Sequence, residues 1–259
     1  MDLPNPMQLH KSLCIIIGST LLISGSAWAL LYRAKHTRRS GNSDDRISFI
    51  AQTGPEKNVL PTSVLAEILD LSYDQATSFS AFSPKKAVKK LLEFPLIQSA
   101  EVKLIKPNTV HIDYAVRSPV LTLGEYLNIG VDQNGHLFPI EPYLTSKNLP
   151  ELILGHHLDP PLFQHQIDMR LITKLMSELS ATELKRIDLT DLHAKSAGRR
   201  QIVVIAGQHT LRLSPKNYQK EIINYFKLCE KMKNTHDNSD KVIDFRIDGM
   251  AFIDSGERK

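Results

Sequence analysis

The sequence predicts an α+β protein with three parts: an apolar N-terminal helix, a β-α-α-β-β unit, and a C-terminal, mostly antiparallel β region with flanking helices. Three observations support this prediction. One long apolar run near the N-terminus has no charge, two amphipathic helical patterns precede a clear hairpin, and short alternating segments then follow one another between Gly and Asn turns.

The apolar run at residues 13–32 reads LCIIIGSTLLISGSAWALLY. A helix of this length rises about 30 Å, which is the thickness of the hydrocarbon core of a bilayer. We therefore predict a transmembrane signal anchor at 13–32, preceded by a short cytoplasmic stub (1–12) and followed by a juxtamembrane linker (33–45). The predicted membrane-contacting residues are Leu13, Ile15, Ile16, Ile17, Leu21, Leu22, Ile23, Trp28, Leu30, Leu31 and Tyr32.

A cleaved signal peptide is the alternative interpretation of this run, with Ala27-Trp28-Ala29 as an A-x-A-like cleavage site. The apolar character continues through Tyr32, which favours an uncleaved anchor. The basic residues of 33–39 would keep the C-terminal side in the cytoplasm by the positive-inside rule, but long domains translocate largely regardless of such charges. Both interpretations place the body outside the cytoplasm.

Composition narrows the function classes. The chain has 259 residues and a net charge of +4, with basic and acidic residues interleaved, which does not favour nucleic-acid binding. Its two cysteines, Cys14 and Cys229, lie in the predicted anchor and in a predicted helix, so a disulfide framework is not expected.

The β-α-α-β-β unit is predicted at 46–117. A strand at 47–53 precedes a helix that Thr62 can cap, and Ser83 and Pro84 occupy the favoured N-cap and N1 positions of a second helix. Residues 100–104 and 110–116 then alternate with period two around a turn at Pro107-Asn108, which predicts a hairpin.

The C-terminal β region is predicted at 118–254, with a short tail at 255–259. It includes short strands at 120–123, 128–132 and 136–140, a hairpin around Gly207, and helices on either side of that hairpin. Asp248-Gly249 predicts a two-residue hairpin turn whose return strand is the last of the chain. That strand has no successor, so we expect an open sheet edge.

Four short patterns follow one another in these two regions. They are FPLIQSAEV at 94–102, PNTV at 107–110 with SPV at 118–120, VDQNGHLF at 131–138, and LPEL at 149–152 with Gly155. In this order they resemble the FtsQ/DivIB family of cell-division proteins. Lys106 stands where the family usually has Trp, and Val116 where it usually has Glu, so the chain resembles a divergent member.

The resemblance implies a POTRA domain at 46–117 and a β domain at 118–254, both outside the inner membrane of a bacterium. It implies a single-pass protein with its N-terminus in the cytoplasm and its bulk in the periplasm, enriched at the division septum. The implied function is a non-catalytic divisome scaffold that links FtsB/FtsL-like partners to other septal proteins, with no cofactor, small-molecule substrate or nucleic acid.

In that family the last strand of the β domain takes FtsB by strand addition, which agrees with the open edge inferred above. Carried over by position, the docking hairpin comprises Phe245, Arg246, Ile247, Met250, Ala251 and Phe252. An alternative function is that of an export or outer-membrane-assembly accessory protein, whose POTRA domain binds client polypeptides.

Three other features give weaker indications of function: a catalytic-type motif, a histidine group and a basic helix face. Ser83 and Lys86 match S-x-x-K of penicillin-binding enzymes, but no S-D-N or K-T-G pattern follows, and Ser83 already serves as a helix cap. His156, His157 and His165 lie in a Pro-containing segment without a metal-ligand spacing, so we expect no metal site. The lysines of the second helix form a basic face, which is either solvated or contacts an acidic partner; they are Lys85, Lys86, Lys89 and Lys90.

Overall fold

The described part of the chain forms two β-sheets, one of three strands and one of nine, each with its own buried core in an α+β arrangement. The computed structural model describes residues 26–32, 46–72, 74, 77–145, 148–232 and 240–255.

The first sheet has the predicted β-α-α-β-β order, which is thereby confirmed. Its elements are β1 (Phe49–Thr53), α1 (Thr62–Ile68), α2 (Pro84–Glu93), β2 (Ile97–Ile105) and β3 (Thr109–Val116). The strand order is β1-β3-β2, with β1 parallel and β2 antiparallel to β3.

The predicted N-cap residue is observed at the start of α2 but not at the start of α1. The Ser83 hydroxyl accepts a hydrogen bond from the Lys86 backbone N–H at 3.5 Å, and Pro84 is the first residue of α2. The predicted cap at Thr62 is wrong, because Thr62 is the first residue of α1 and the N-cap is Pro61, which makes no side-chain capping bond.

Alternation along β3 explains how this core forms. Val110, Ile112, Tyr114 and Val116 are buried, whereas the residues between them are more exposed. The buried row belongs to the same apolar cluster as Leu65 of α1 and Leu91 of α2. Because side chains alternate across a strand, one face of the sheet carries both helices and the other faces outward.

The second sheet has the order β12-β11-β10-β9-β8-β7-β4-β5-β6. Its elements are β4 (Leu121–Leu123), β5 (Ile129–Val131), β6 (Leu137–Pro139), β7 (Glu151–Ile153), α3 (Met169–Glu178), β8 (Leu184–Asp188), β9 (Ile202–Ala206), β10 (His209–Leu213), α4 (Tyr218–Met232), β11 (Lys241–Asp244) and β12 (Phe252–Ser255).

This sheet is mixed: five of its eight described strand pairings are antiparallel, as predicted for most of the domain, and three are parallel, which was not predicted. Strand β7 is parallel to both β4 and β8, and β10 is parallel to β11. Helix α3 connects β7 to β8 and α4 connects β10 to β11. A helical crossover returns the chain in its original direction, which makes the joined strands parallel. Apolar residues of both helices pack into the core of the sheet, among them Ile172, Leu175 and Ile222.

An ion pair and an aromatic residue join the two units. Arg117 follows β3, and its Nη1 donates to Asp132 Oδ2 at 2.7 Å, while its Nε donates to the Pro95 carbonyl oxygen at 3.0 Å. Phe138 of β6 is fully buried and belongs to the core of the three-stranded unit. The segment after β3 is therefore tied to both sheets.

The predicted transmembrane helix, and with it the single-pass localisation in the inner membrane, is corrected here. No helix among the described residues has the length and apolarity needed to cross a membrane. The anchor residues from Leu13 to Ile23 lie outside the described residues. Four of the predicted anchor residues lie on a described helical segment at 26–32: Trp28, Leu30, Leu31 and Tyr32.

Candidate functional site

Strand β12 forms one end of the nine-stranded sheet. It pairs antiparallel with β11, with Ile253 opposite Ile243 and Phe252 opposite Asp244. Within the part of the chain that the structure describes, no strand pairs with its other side. An edge strand of this kind presents unpaired backbone N–H and C=O groups, which can pair with the backbone of another chain.

Side chains of β12 are apolar and partly open to solvent. Phe252 is 52% exposed and Ile253 is 47% exposed. Ile253 lies on the same face of the sheet as its cross-strand neighbour Ile243, which is fully buried. The apolar core face of the sheet therefore ends at a half-exposed isoleucine rather than at a polar residue.

The loop at 245–251 connects β11 to β12. Ile247, Asp248, Gly249 and Met250 form a turn in which the Met250 N–H donates to the Ile247 carbonyl oxygen at 3.1 Å. The φ of +76° at Gly249, the third residue of this turn, is one that glycine adopts without strain. The predicted two-residue hairpin is wrong, because the paired strands end at Asp244 and resume at Phe252.

The six residues of the predicted docking hairpin occupy different environments. Phe245 is buried in the core, so its side chain anchors the loop and is not free for a partner. Arg246 is largely covered, whereas four residues are exposed beside the edge: Ile247, Met250, Ala251 and Phe252. Ile253, which the sequence analysis did not select, is exposed with them.

Arg246 holds the loop from within. Its Nε and Nη2 donate to the two carboxylate oxygens of Asp244, with the shortest contact 2.7 Å. Its Nη1 donates to the Gly198 carbonyl oxygen at 3.1 Å. Burial alone raises the pKa of Asp244, but the hydrogen bonds from Arg246 and the charges of Arg246 and Arg212 outweigh it, so this pKa lies below its ordinary value.

Two contacts with α4 fix the surroundings of the loop. Lys220 Nζ donates to Asp248 Oδ1 at 2.9 Å, and this hydrogen bond lowers the pKa of Asp248. Glu221 is buried and accepts hydrogen bonds from the N–H and the hydroxyl of Ser214 at 2.7 and 2.6 Å. Burial raises the pKa of Glu221, although the bonds from Ser214 act in the opposite direction.

A groove of about 870 Å³ lies beside the edge. Arg200 and Lys216 bring positive charge to it, while Asp244 and Arg246 neutralise each other and Leu192, Ile247 and Phe252 supply apolar surface. The groove therefore suits a segment with apolar and acidic side chains. Its lining residues are Leu192, His193, Ala197, Gly198, Arg200, Ser214, Pro215, Lys216, Asn217, Asp244, Arg246, Ile247 and Phe252.

The sequence does not predict this groove, because its walls come from four separate parts of the chain. The Arg199-Arg200 pair, within a loop of small and polar residues, was the one local signal of a basic surface there. No periodic pattern in the sequence brings that loop close to the last strand.

The other candidate residues lie away from this edge or already have structural partners. His157 packs edge-on against Tyr126 with ring centroids 5.5 Å apart, and the His156 Nδ1 lies 3.3 Å from the Leu154 carbonyl oxygen. No group of three or more His, Cys, Asp or Glu residues with metal-binding geometry occurs in the described segments. On α2, Lys90 pairs with Asp70, while Lys85, Lys86 and Lys89 are exposed.

Comparison of the chain with protein-family models and with curated proteins finds no match.

Proposed function

We propose that this protein is a non-catalytic scaffold of the bacterial divisome, similar to the FtsQ/DivIB family, that links FtsB/FtsL-like partners to other septal proteins. The observation that carries the proposal is the apolar edge strand β12 beside a basic groove. The β-α-α-β-β order of the N-terminal unit and the four motifs described above support the same proposal.

The docking step is strand addition. A partner strand that pairs with the outer side of β12 satisfies backbone groups that otherwise bond only to water. Its side chains that lie next to Ile253 extend the apolar core face by one strand, and those next to Phe252 lie at the mouth of the groove. Main-chain hydrogen bonds then supply affinity, and the two side-chain rows supply specificity.

The positive charge of the groove favours a partner that carries an acidic residue close to its docking strand. Arg246, which lines the groove, is paired with Asp244. Arg200 and Lys216 also line the groove, and neither forms an ion pair with Asp244 in the described structure. A partner carboxylate in the groove gains from both charges, whereas a basic residue there is repelled. This contribution weakens as salt is added, because exposed charges are screened over about 8 Å at physiological ionic strength.

Alanine substitutions in matched pairs test the edge directly. Ile253→Ala and Phe252→Ala in the full chain are expected to weaken binding of a peptide from the strand-forming segment of the FtsB-like partner by about tenfold each. The reason is that binding covers the exposed half of each side chain, which contributes about 1.4 kcal/mol. Isothermal titration calorimetry gives the dissociation constants.

Ile105→Ala and Phe49→Ala are the controls. Ile105 is 47% exposed on the edge strand β2, and Phe49 is 62% exposed on the edge strand β1, so each control matches its partner in residue type, exposure and position at a sheet edge. Both control variants are expected to bind the peptide like the unaltered chain. Equal losses in the β12 pair and the control pair would refute docking at β12.

A second candidate function is the binding of extended client polypeptides by an export or assembly accessory protein. The observation that favours it is β2, a nine-residue strand that pairs only with β3 in the described part of the chain. The same substitutions separate the two functions, since client binding through β2 predicts losses for Ile105→Ala and none for Ile253→Ala.

A further inference from the structure

We infer that Arg246 is a positioning residue that connects the docking edge to the far wall of the groove, rather than a contact for the partner. The inference rests on the proposed docking function for its biological meaning. The link between Arg246 and Gly198 can be tested in the free protein, whatever the partner proves to be.

The geometry of the guanidinium group carries this inference. Arginine has five N–H donors in a planar fork. Two edges of the fork are already engaged, because Nε and Nη2 bind Asp244 and Nη1 binds the Gly198 carbonyl oxygen. The side chain is only 25% exposed, so a partner carboxylate reaches at most one edge of it.

Gly198 belongs to a short 3-10 turn at Ala197–Arg199, in which the Arg199 N–H donates to the Ser196 carbonyl and the Arg200 N–H donates to the Ala197 carbonyl. Gly198 lines the groove together with Ala197 and Arg200. The bond from Arg246 is therefore a bridge between the loop that precedes β12 and the turn that carries Arg200. Without it, the two walls of the groove lose a charge-assisted hydrogen bond and are free to separate.

Arg212 provides a matched control. Its Nη1 lies 3.8 Å from the same Asp244 carboxylate, but no contact in the described structure joins it to the 197–199 turn. Arg212→Gln and Arg246→Gln each remove one positive charge beside this carboxylate, but only Arg246→Gln also removes the hydrogen bonds to Asp244 and the bridge to Gly198.

Hydrogen exchange in the free full-length protein tests the bridge. Arg246→Gln is expected to speed exchange of the Arg199 and Arg200 amides about tenfold, since a hydrogen bond from a charged donor contributes at least about 1.5 kcal/mol. Arg246→Lys is expected to do the same, because a single ammonium group cannot span Asp244 and Gly198 together. Arg212→Gln is expected to leave both amides unchanged. Unchanged exchange in Arg246→Gln would overturn the inference.

A double-mutant cycle separates positioning from direct contact. The FtsB-like peptide is prepared with each acidic residue replaced in turn by its amide, and binding is measured to the unaltered chain and to Arg246→Gln. Arg200→Gln is measured beside it, because the bridge holds the turn that carries Arg200. A positioning role predicts that Arg246→Gln alone weakens binding about fivefold, and that any peptide carboxylate coupled to Arg246 is also coupled to Arg200. A carboxylate coupled to Arg246 but not to Arg200 would show direct contact and overturn the inference. If the unaltered chain binds no peptide, the proposed function fails, while the exchange experiment still decides the bridge.

Discussion

Replacing Gly135 with alanine is expected to lower the free energy of unfolding by about 2–5 kcal/mol. Gly135 has a φ of +84°, and a Cβ atom at this position would overlap the carbonyl oxygen of Ile167. The two residues are joined by a backbone hydrogen bond from the Ile167 N–H to the Gly135 carbonyl at 2.9 Å, so neither chain can move away freely. Urea unfolding followed by circular dichroism measures the loss.

Gly207→Ala separates the steric cost from the conformational cost. Gly207 also has a positive φ, of +60°, but no atom lies within 4 Å of the place where its Cβ would be. We expect this variant to lose only about 1 kcal/mol, the cost of an alanine in the left-handed region. Equal losses in both variants would show that the approach of Ile167 to Gly135 is not tight.

Replacing Asp132 with asparagine is expected to cost about 3 kcal/mol of stability. Asp132 and Arg117 are 7% and 16% exposed, and removing one partner of such a pair leaves the other charge covered without compensation. The asparagine oxygen can still accept the hydrogen bonds that Asp132 receives from the N–H groups of Asn134 and His136. Its NH2 group takes the place of Oδ2 and cannot accept from Arg117, so the change removes the pairing with Arg117 and keeps the two backbone contacts. The free energy of unfolding in urea again gives the loss.

The control for this change is Glu101→Gln. Glu101 pairs with Lys103, but both side chains are 61% exposed, so the expected loss is below about 0.5 kcal/mol. Similar losses in Asp132→Asn and Glu101→Gln would contradict the view that the Arg117–Asp132 pair stabilises the junction of the two units.

Low pH is expected to weaken the Arg117–Asp132 ion pair that joins the two units. Burial alone raises the pKa of Asp132, but the hydrogen bonds from His136, Arg117 and Asn134 outweigh it, and this pKa lies below the ordinary value of 3.8. A carboxylate with a lowered pKa stabilises the fold above its unfolded-state pKa, and this stabilisation disappears as pH falls from about 4 through the lower folded-state value. We expect the stability difference between the unaltered chain and Asp132→Asn to shrink over that range, as urea titrations at several pH values would show.

The elements that could be predicted from sequence are those with strong local signals. The Ser83-Pro84 start of α2 and the alternation of Val110, Ile112 and Tyr114 in β3 depend on neighbours along the chain, and both predictions are confirmed. Strands β7 and β8 were not predicted. Strand β7 has only three residues, too few to show a period of two, and both of its pairings are with strands distant in the chain.

The edge was predictable in position but not in detail. The hairpin predicted at Asp248-Gly249 requires the strand to continue up to that turn, yet pairing ends at Asp244, where the carboxylate accepts the Arg246 N–H at 3.0 Å. Phe245 then fills the core instead of facing a partner. The groove depends on contacts between four distant segments, which a single sequence does not reveal.

Hydrogen exchange of the full chain, with and without the FtsB-like peptide, is the decisive test of docking at β12. Strand addition predicts that amides within 252–255 exchange more slowly when the peptide is bound, while amides of the β2 edge at 97–105 do not change. A peptide that binds at saturation and leaves exchange at 252–255 unaltered would contradict docking at β12.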